Sequence, residues 1–116
     1  AVIGNCFIHD SVEKGGIYFH DQSTGRVEDC KIHNNSKNGI SIKKSHGIIQ
    51  NSTIGKNNSG IYIYENAEVT VTNCKVVKNN WEAVTLKENS KCNISESDLT
   101  YNGGEGAFDI KLSCRI

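Results

Sequence analysis

The sequence predicts an all-β solenoid, a parallel β-helix of about five coils. Three observations carry this: an apolar residue recurs every 22–24 positions, apolar pairs within each period are spaced by two, and asparagine holds one place in four consecutive periods. The apolar column is Ile8, Ile32, Ile54, Val76 and Leu99, with steps of 24, 22, 22 and 23 residues. Such a period marks a repeat architecture, in which each unit buries its apolar face only against its neighbours.

Within each period the elements follow in order. Two residues before the apolar column stands a small one, Cys6, Cys30, Ser52, Cys74 and Ser97, so the first strand offers two inward positions. Three residues after it stand Asn35, Asn57, Asn79 and Asn102, with Ser11 in the first repeat. Asparagine tolerates the left-handed backbone of a sharp turn, and stacked amides can bond along the axis, so this column is expected to be a left-handed corner and a ladder. Next come Gly16, Gly39, Gly60 and Ala83, each followed by an alternating pair: Ile17/Phe19, Ile40/Ile42, Ile61/Ile63 and Val84/Leu86. A period of two is the strand period, so these are second strands. The third is clearest at Val69-Thr70-Val71 and Cys92-Asn93-Ile94, and weaker at Gly25-Arg26-Val27 and Gly47-Ile48-Ile49. Three short strands and three turns fill about 22 residues, one coil of a parallel β-helix. A second polar column, Asn5, Asp29, Asn51, Asn73 and Glu96, marks another corner. The step from the apolar to the glycine column varies, so that edge carries loops of unequal length and is a candidate for recognition.

The bulk properties fit one domain over residues 1–116. Thirteen basic and thirteen acidic side chains cancel, which gives no electrostatic footprint for nucleic acid or an anionic membrane. No apolar run approaches the roughly 20 residues of a membrane span, and Ala1 to Asn5 does not resemble a signal peptide. Five cysteines, an odd number without a CxxC spacing, favour a reducing, intracellular compartment. Four N-x-S/T patterns begin at Asn34, Asn51, Asn57 and Asn93. The corner and ladder role of asparagine is the preferred account of them over glycosylation.

The runs Gly16-Ile17-Tyr18-Phe19-His20, Gly25 to Asn35 and Asn38-Gly39-Ile40-Ser41-Ile42 resemble the repeat of pectin-lyase-like right-handed parallel β-helices. Among these they are most similar to the repeats of F-box substrate receptors and of NosD-type periplasmic proteins. The resemblance covers about residues 3 to 112 and implies the right-handed form of the fold. It leaves function open, because lyases, epimerases, tailspikes and binding scaffolds share the repeat. With no capping helix at either end, the chain reads as a segment of a longer solenoid, and its terminal coils invite end-to-end association.

Chemistry is sparse on the outward positions. The first strand shows Phe7, Lys31, Thr53, Lys75 and Asp98 outward, and the second Tyr18, Ser41, Tyr62 and Thr85. Paired carboxylates for glycoside cleavage are missing from these columns, and arginine occurs only at Arg26 and Arg115. His9 and His33 occupy equivalent positions in adjacent coils, with Asp10 beside one, a weak candidate for metal binding or base catalysis that reads more simply as solvated histidines. The cysteine column reads as small buried hydrophobes. Aromatic residues carry the remaining signal: Tyr18, Tyr62 and Tyr64 point outward, and Trp81 lies on the loop edge, so these four are the candidate binding residues. The expected function is a non-catalytic recognition scaffold for a protein or polysaccharide ligand, without a cofactor. The alternative is a fragment of a polysaccharide-active enzyme whose catalytic residues lie elsewhere.

Overall fold

The computed structural model describes residues 2–4, 6–9, 15–100, 102–103, 108–110 and 113–115. The side chains of Val2, Phe7, His9 and the strands at 108–110 and 113–115 are not described. The first coil holds β1 (Val2–Gly4), β2 (Phe7–His9) and β3 (Ile17–Phe19). The second holds β4 (Thr24–Glu28), β5 (Lys31–His33) and β6 (Ile40–Lys43), and the third β7 (His46–Gln50), β8 (Thr53–Gly55) and β9 (Ile61–Tyr64). The fourth holds β10 (Glu68–Thr72), β11 (Lys75–Val77) and β12 (Val84–Leu86). A fifth runs through β13 (Lys91–Ser95), a single bridge from Asp98 to Lys75, and β14 (Phe108–Ile110), and the last strand is β15 (Ser113–Arg115).

Every pairing is parallel and joins a strand to its counterpart one coil away, giving three sheets: β1-β4-β7-β10-β13-β15, β2-β5-β8-β11 and β3-β6-β9-β12-β14. Ile40 pairs with Ile61 and Ile42 with Ile63, so the two Gly-Ile-x-Ile segments are neighbouring rungs. The inward columns form the core: Ile32, Ile54 and Val76; Ile40, Ile61 and Val84; Ile42, Ile63 and Leu86; and Val27, Ile49 and Val71 are all fully buried. Each such side chain stabilises the fold by about 1.5–3 kcal/mol relative to exposure. Where the third-strand column has glycine, at Gly25 and Gly47, the ring of Phe19 fills the space, and a Cβ on Gly25 would meet it at 2.8 Å.

The ladder forms as expected. Asn57 Oδ1 accepts both the N–H (3.0 Å) and the amide (3.0 Å) of Asn35, and Asn79 Oδ1 accepts the N–H (3.0 Å) and amide (3.3 Å) of Asn57. Asn102 Oδ1 does the same for Asn79, at 3.1 and 2.9 Å. The second amide protons of Asn57 and Asn79 reach the Ile32 and Ile54 carbonyls. The backbone assignment of this column is corrected, because Asn35, Asn57, Asn79 and Asn102 are not among the residues with positive φ. The left-handed corner lies one residue earlier, at Asn34, Lys56 and Lys78, and again at Asp29, Asn51, Asn73 and Glu96. A ladder amide must point inward from an ordinary backbone, while the tight corner next to it needs only a residue that accepts φ near 55°. The ladder therefore accounts for Asn57 alone among the four N-x-S/T asparagines. Asn34 and Asn51 sit exposed in left-handed corners, and Asn93 is exposed on β13.

The glycine column follows from the ladder. A Cβ on Gly39 would meet Ile54 Cγ2 at 2.6 Å, the Gly60 carbonyl oxygen at 2.8 Å and Asn57 Nδ2 at 2.9 Å. Ala83 breaks the column in the coil that faces Leu99, which lacks the β-branch of its counterparts Ile32, Ile54 and Val76.

The small column is more than apolar filler. Ser52 Oγ and Ser97 Oγ each donate to the carbonyl two residues back and accept the N–H of Cys30 and Cys74 from the preceding coil. Cys6, Cys30 and Cys74 donate their thiols to the equivalent carbonyls of Gly4, Glu28 and Thr72. A second such column, Ser23, Ser45, Ala67 and Ser90, turns the chain from the second strand to the third. Ser45 Oγ accepts from the Ser23 N–H and Ser90 Oγ from the Ala67 N–H, both at 3.1 Å.

Candidate functional site

The outward face of the sheet formed by β3, β6, β9 and β12 gathers Tyr18, Tyr62 and Tyr64. Strand alternation turns Ile17, Phe19, Ile61 and Ile63 inward, which leaves Tyr18, Tyr62 and Tyr64 outside. Register aligns Tyr18 with Ser41 and Ser41 with Tyr62, while Tyr64 aligns with Lys43. Tyr64 crosses the second coil so that its hydroxyl donates to the Tyr18 hydroxyl at 3.2 Å. The small Ser41 between them leaves room for the span. Tyr62 packs edge-on against Tyr64 with centroids 5.1 Å apart, and Lys87 Nζ stands 5.5 Å over the Tyr62 ring. His20 lies beside Tyr18 at 4.8 Å and pairs with Asp21.

These contacts make one continuous patch from His20 to Lys87, in which Tyr18 is 51% exposed. Burial, and then the hydrogen bond to Tyr18, hold the Tyr64 hydroxyl above the usual tyrosine range, so it stays a neutral donor. Beside the pair runs a groove of about 380 Å³ lined by Tyr18, Tyr64, Ser41, Asn38, Lys37 and the Gly15-Gly16 corner. Asn38 Nδ2 donates to Ser41 Oγ at 3.1 Å, which fixes the polar floor.

Tyr64, rather than Tyr62, is the residue that meets Tyr18, because a long side chain reaches diagonally past a serine. Trp81 is exposed at 57% in the corner edge, where its backbone N–H bonds to the Asn58 carbonyl, and among the described residues no ring contact joins it to Tyr18, Tyr62 or Tyr64. Thr85, placed outward in the same column, is buried at 3%. His20, Lys87, Ser41, Asn38 and Lys37 lie at this patch but are not among the four binding residues read from the sequence. The signal for them was present in the column itself, since Ser41 separates Tyr18 from Tyr62 by one rung.

Backbone register pairs His9 with His33, and His33 Nδ1 lies 2.9 Å from Asn34 Nδ2. Asp10 and the side chain of His9 lie outside what is described. Among the described residues, no three His, Cys, Asp or Glu side chains gather as a metal site. The neighbouring outward column carries Lys31, Thr53, Lys75 and Asp98. The Asp98 carboxyl is held below its usual range by hydrogen bonds from the Thr100 hydroxyl and N–H. Among the described residues, no outward strand column holds two carboxylates.

A family model described as a right handed beta helix region matches residues 1–97 and, in a second overlapping match, residues 59–113. Neither the curated proteins nor the solved structures gave a match.

Proposed function

The chain belongs to the right-handed β-helix family, and from that premise we propose that it is a recognition scaffold that binds a saccharide in the groove beside Tyr18 and Tyr64. The observation that carries the reading is the hydroxyl pair spanning two coils over Ser41. Two rings fixed to stacked rungs offer apolar faces with hydroxyl edges, and a sugar presents the same alternation of C–H face and O–H rim. Asn38, Ser41 and the tyrosine hydroxyls supply the few convergent polar groups that orient a ligand, and the underlying sheet keeps them in place. Among the described residues no outward strand column holds the two carboxylates that glycoside cleavage uses, which favours binding over cleavage.

A protein ligand is the second reading, favoured by Trp81, a large exposed ring on the adjoining edge of the kind that anchors protein contacts. An enzyme whose chemistry lies within this chain would instead place activity on the weak candidates His9, His33 and Asp10. An oligosaccharide array probed with the folded chain separates these. Saccharide binding that falls about tenfold or more in Tyr18→Ala and Tyr64→Ala, a loss of about 1.4 kcal/mol or more, supports the proposal. An array with no tyrosine-dependent binding removes it, and polysaccharide cleavage abolished by His33→Ala establishes the enzyme reading.

A further inference from the structure

Cys6 and Cys30 hold the same place in consecutive coils. The register of β2 against β5 sets them side by side, and the Lys31 N–H bonds to the Cys6 carbonyl at 2.9 Å. Both thiols aim at the end of β1: Cys6 Sγ donates to the Gly4 carbonyl at 3.0 Å, and Cys30 Sγ lies 3.4 Å from the Ile3 carbonyl. Neighbouring rungs stand about 4.8 Å apart, inside the Cα separation of about 4.4–6.8 Å that a disulfide spans. Cys74 occupies the same column between Ser52 and Ser97, so no cysteine of that column adjoins it. Cys6, Cys30 and Cys74 are free thiols in this structure.

We propose that Cys6 and Cys30 are a modification site, an oxidisable pair that a small-molecule disulfide of the glutathione type converts into a staple between the first and second coils. Cys30 is buried and its thiol is pushed up by that burial, whereas Cys6 is half-buried, so exchange starts at Cys6. The Cys6 thiolate attacks one sulfur of the reagent and expels a thiolate, which takes up a proton. Cys30 then gives up its proton and attacks the Cys6 sulfur, expelling the second reagent thiol. Two protein thiols become one disulfide while the reagent disulfide is reduced to two thiols. The bond closes a loop between positions 24 apart, which restricts the unfolded chain and holds the first coil onto the second.

The test treats the full chain with oxidised glutathione, maps its peptides by mass spectrometry and compares melting before and after. The expected result is a Cys6–Cys30 linked peptide, Cys74 left as a thiol, and a melting temperature raised by about 5 °C or more. Cys30→Ser should melt like the reduced chain and show no rise on oxidation, because serine already holds this column's hydrogen bonds at Ser52 and Ser97. Should that variant fail to fold, Cys6→Ser gives the same comparison. Glutathione adducts on Cys6 without a link, links only between chains, or an equal rise in the serine variant would overturn the proposal.

Discussion

Asn57→Ala removes the centre of the ladder, and its cost can be worked from the contacts. The side chain is fully buried. Its oxygen accepts two hydrogen bonds from Asn35, and its amide donates to Asn79 Oδ1 and the Ile32 carbonyl. Alanine removes the acceptor that both Asn35 groups share. Each of the two hydrogen bonds that the buried Asn35 groups lose costs about 1–2 kcal/mol. The expected loss is therefore about 2–4 kcal/mol. Asn58→Ala, one residue along, removes only an exposed bond from Asn80 and should stay within about 0.5 kcal/mol of the parent. Urea melts of both variants, read at constant m-value, give the comparison. Equal stability of the two would refute the assignment of the ladder as a buried structural column.

Gly39→Ala should destabilise by about 1–3 kcal/mol through overpacking, whereas Gly4→Ala, whose nearest heavy atom would be 3.7 Å away, should be tolerated; thermal melts separate them. Burial raises the Cys30 and Cys74 thiols, so the unfolded chain ionises first as pH rises. That contribution to stability is complete below the unfolded thiol pKa of about 8.5 and disappears as pH climbs through the folded values. The melting temperature of the reduced chain should accordingly fall above that pH, and fall less in a Cys30→Ser/Cys74→Ser variant. At neutral pH both thiols should react with an alkylating reagent only once the chain is unfolded, which mass spectrometry reads directly.

Stacking made much of this fold legible in the sequence. Each coil places equivalent residues on one another, so Ile32, Ile54 and Val76, or Asn35, Asn57 and Asn79, must suit the same environment and recur as columns. The corner at Asp29, Asn51, Asn73 and Glu96 was legible as a polar column, and its left-handed backbone agrees. The turn at Ser23, Ser45, Ala67 and Ser90 was harder to read, because no apolar neighbour draws the eye to it. The cysteine column looked apolar because thiols pack well, yet Ser52 and Ser97 in the same column already pointed to a required small donor. The site was half legible. Strand alternation identified the outward tyrosines, but the Tyr18–Tyr64 contact depends on side-chain reach across a rung, which no register expresses.

Ile63 and Tyr64 are adjacent on β9, one buried at 0% and one facing the groove, so melting and saccharide binding measured together on Ile63→Asp and Tyr64→Ala test the central claim most directly. The claim is that inward columns hold the coil together and the outward tyrosines bind. Ile63→Asp should lose several kcal/mol through a buried unpaired charge and fail to fold. Tyr64→Ala should melt within about 1 kcal/mol of the parent while its binding on the oligosaccharide array falls about tenfold or more. A Tyr64→Ala chain that binds like the parent, or an Ile63→Asp chain that melts like it, would contradict the account.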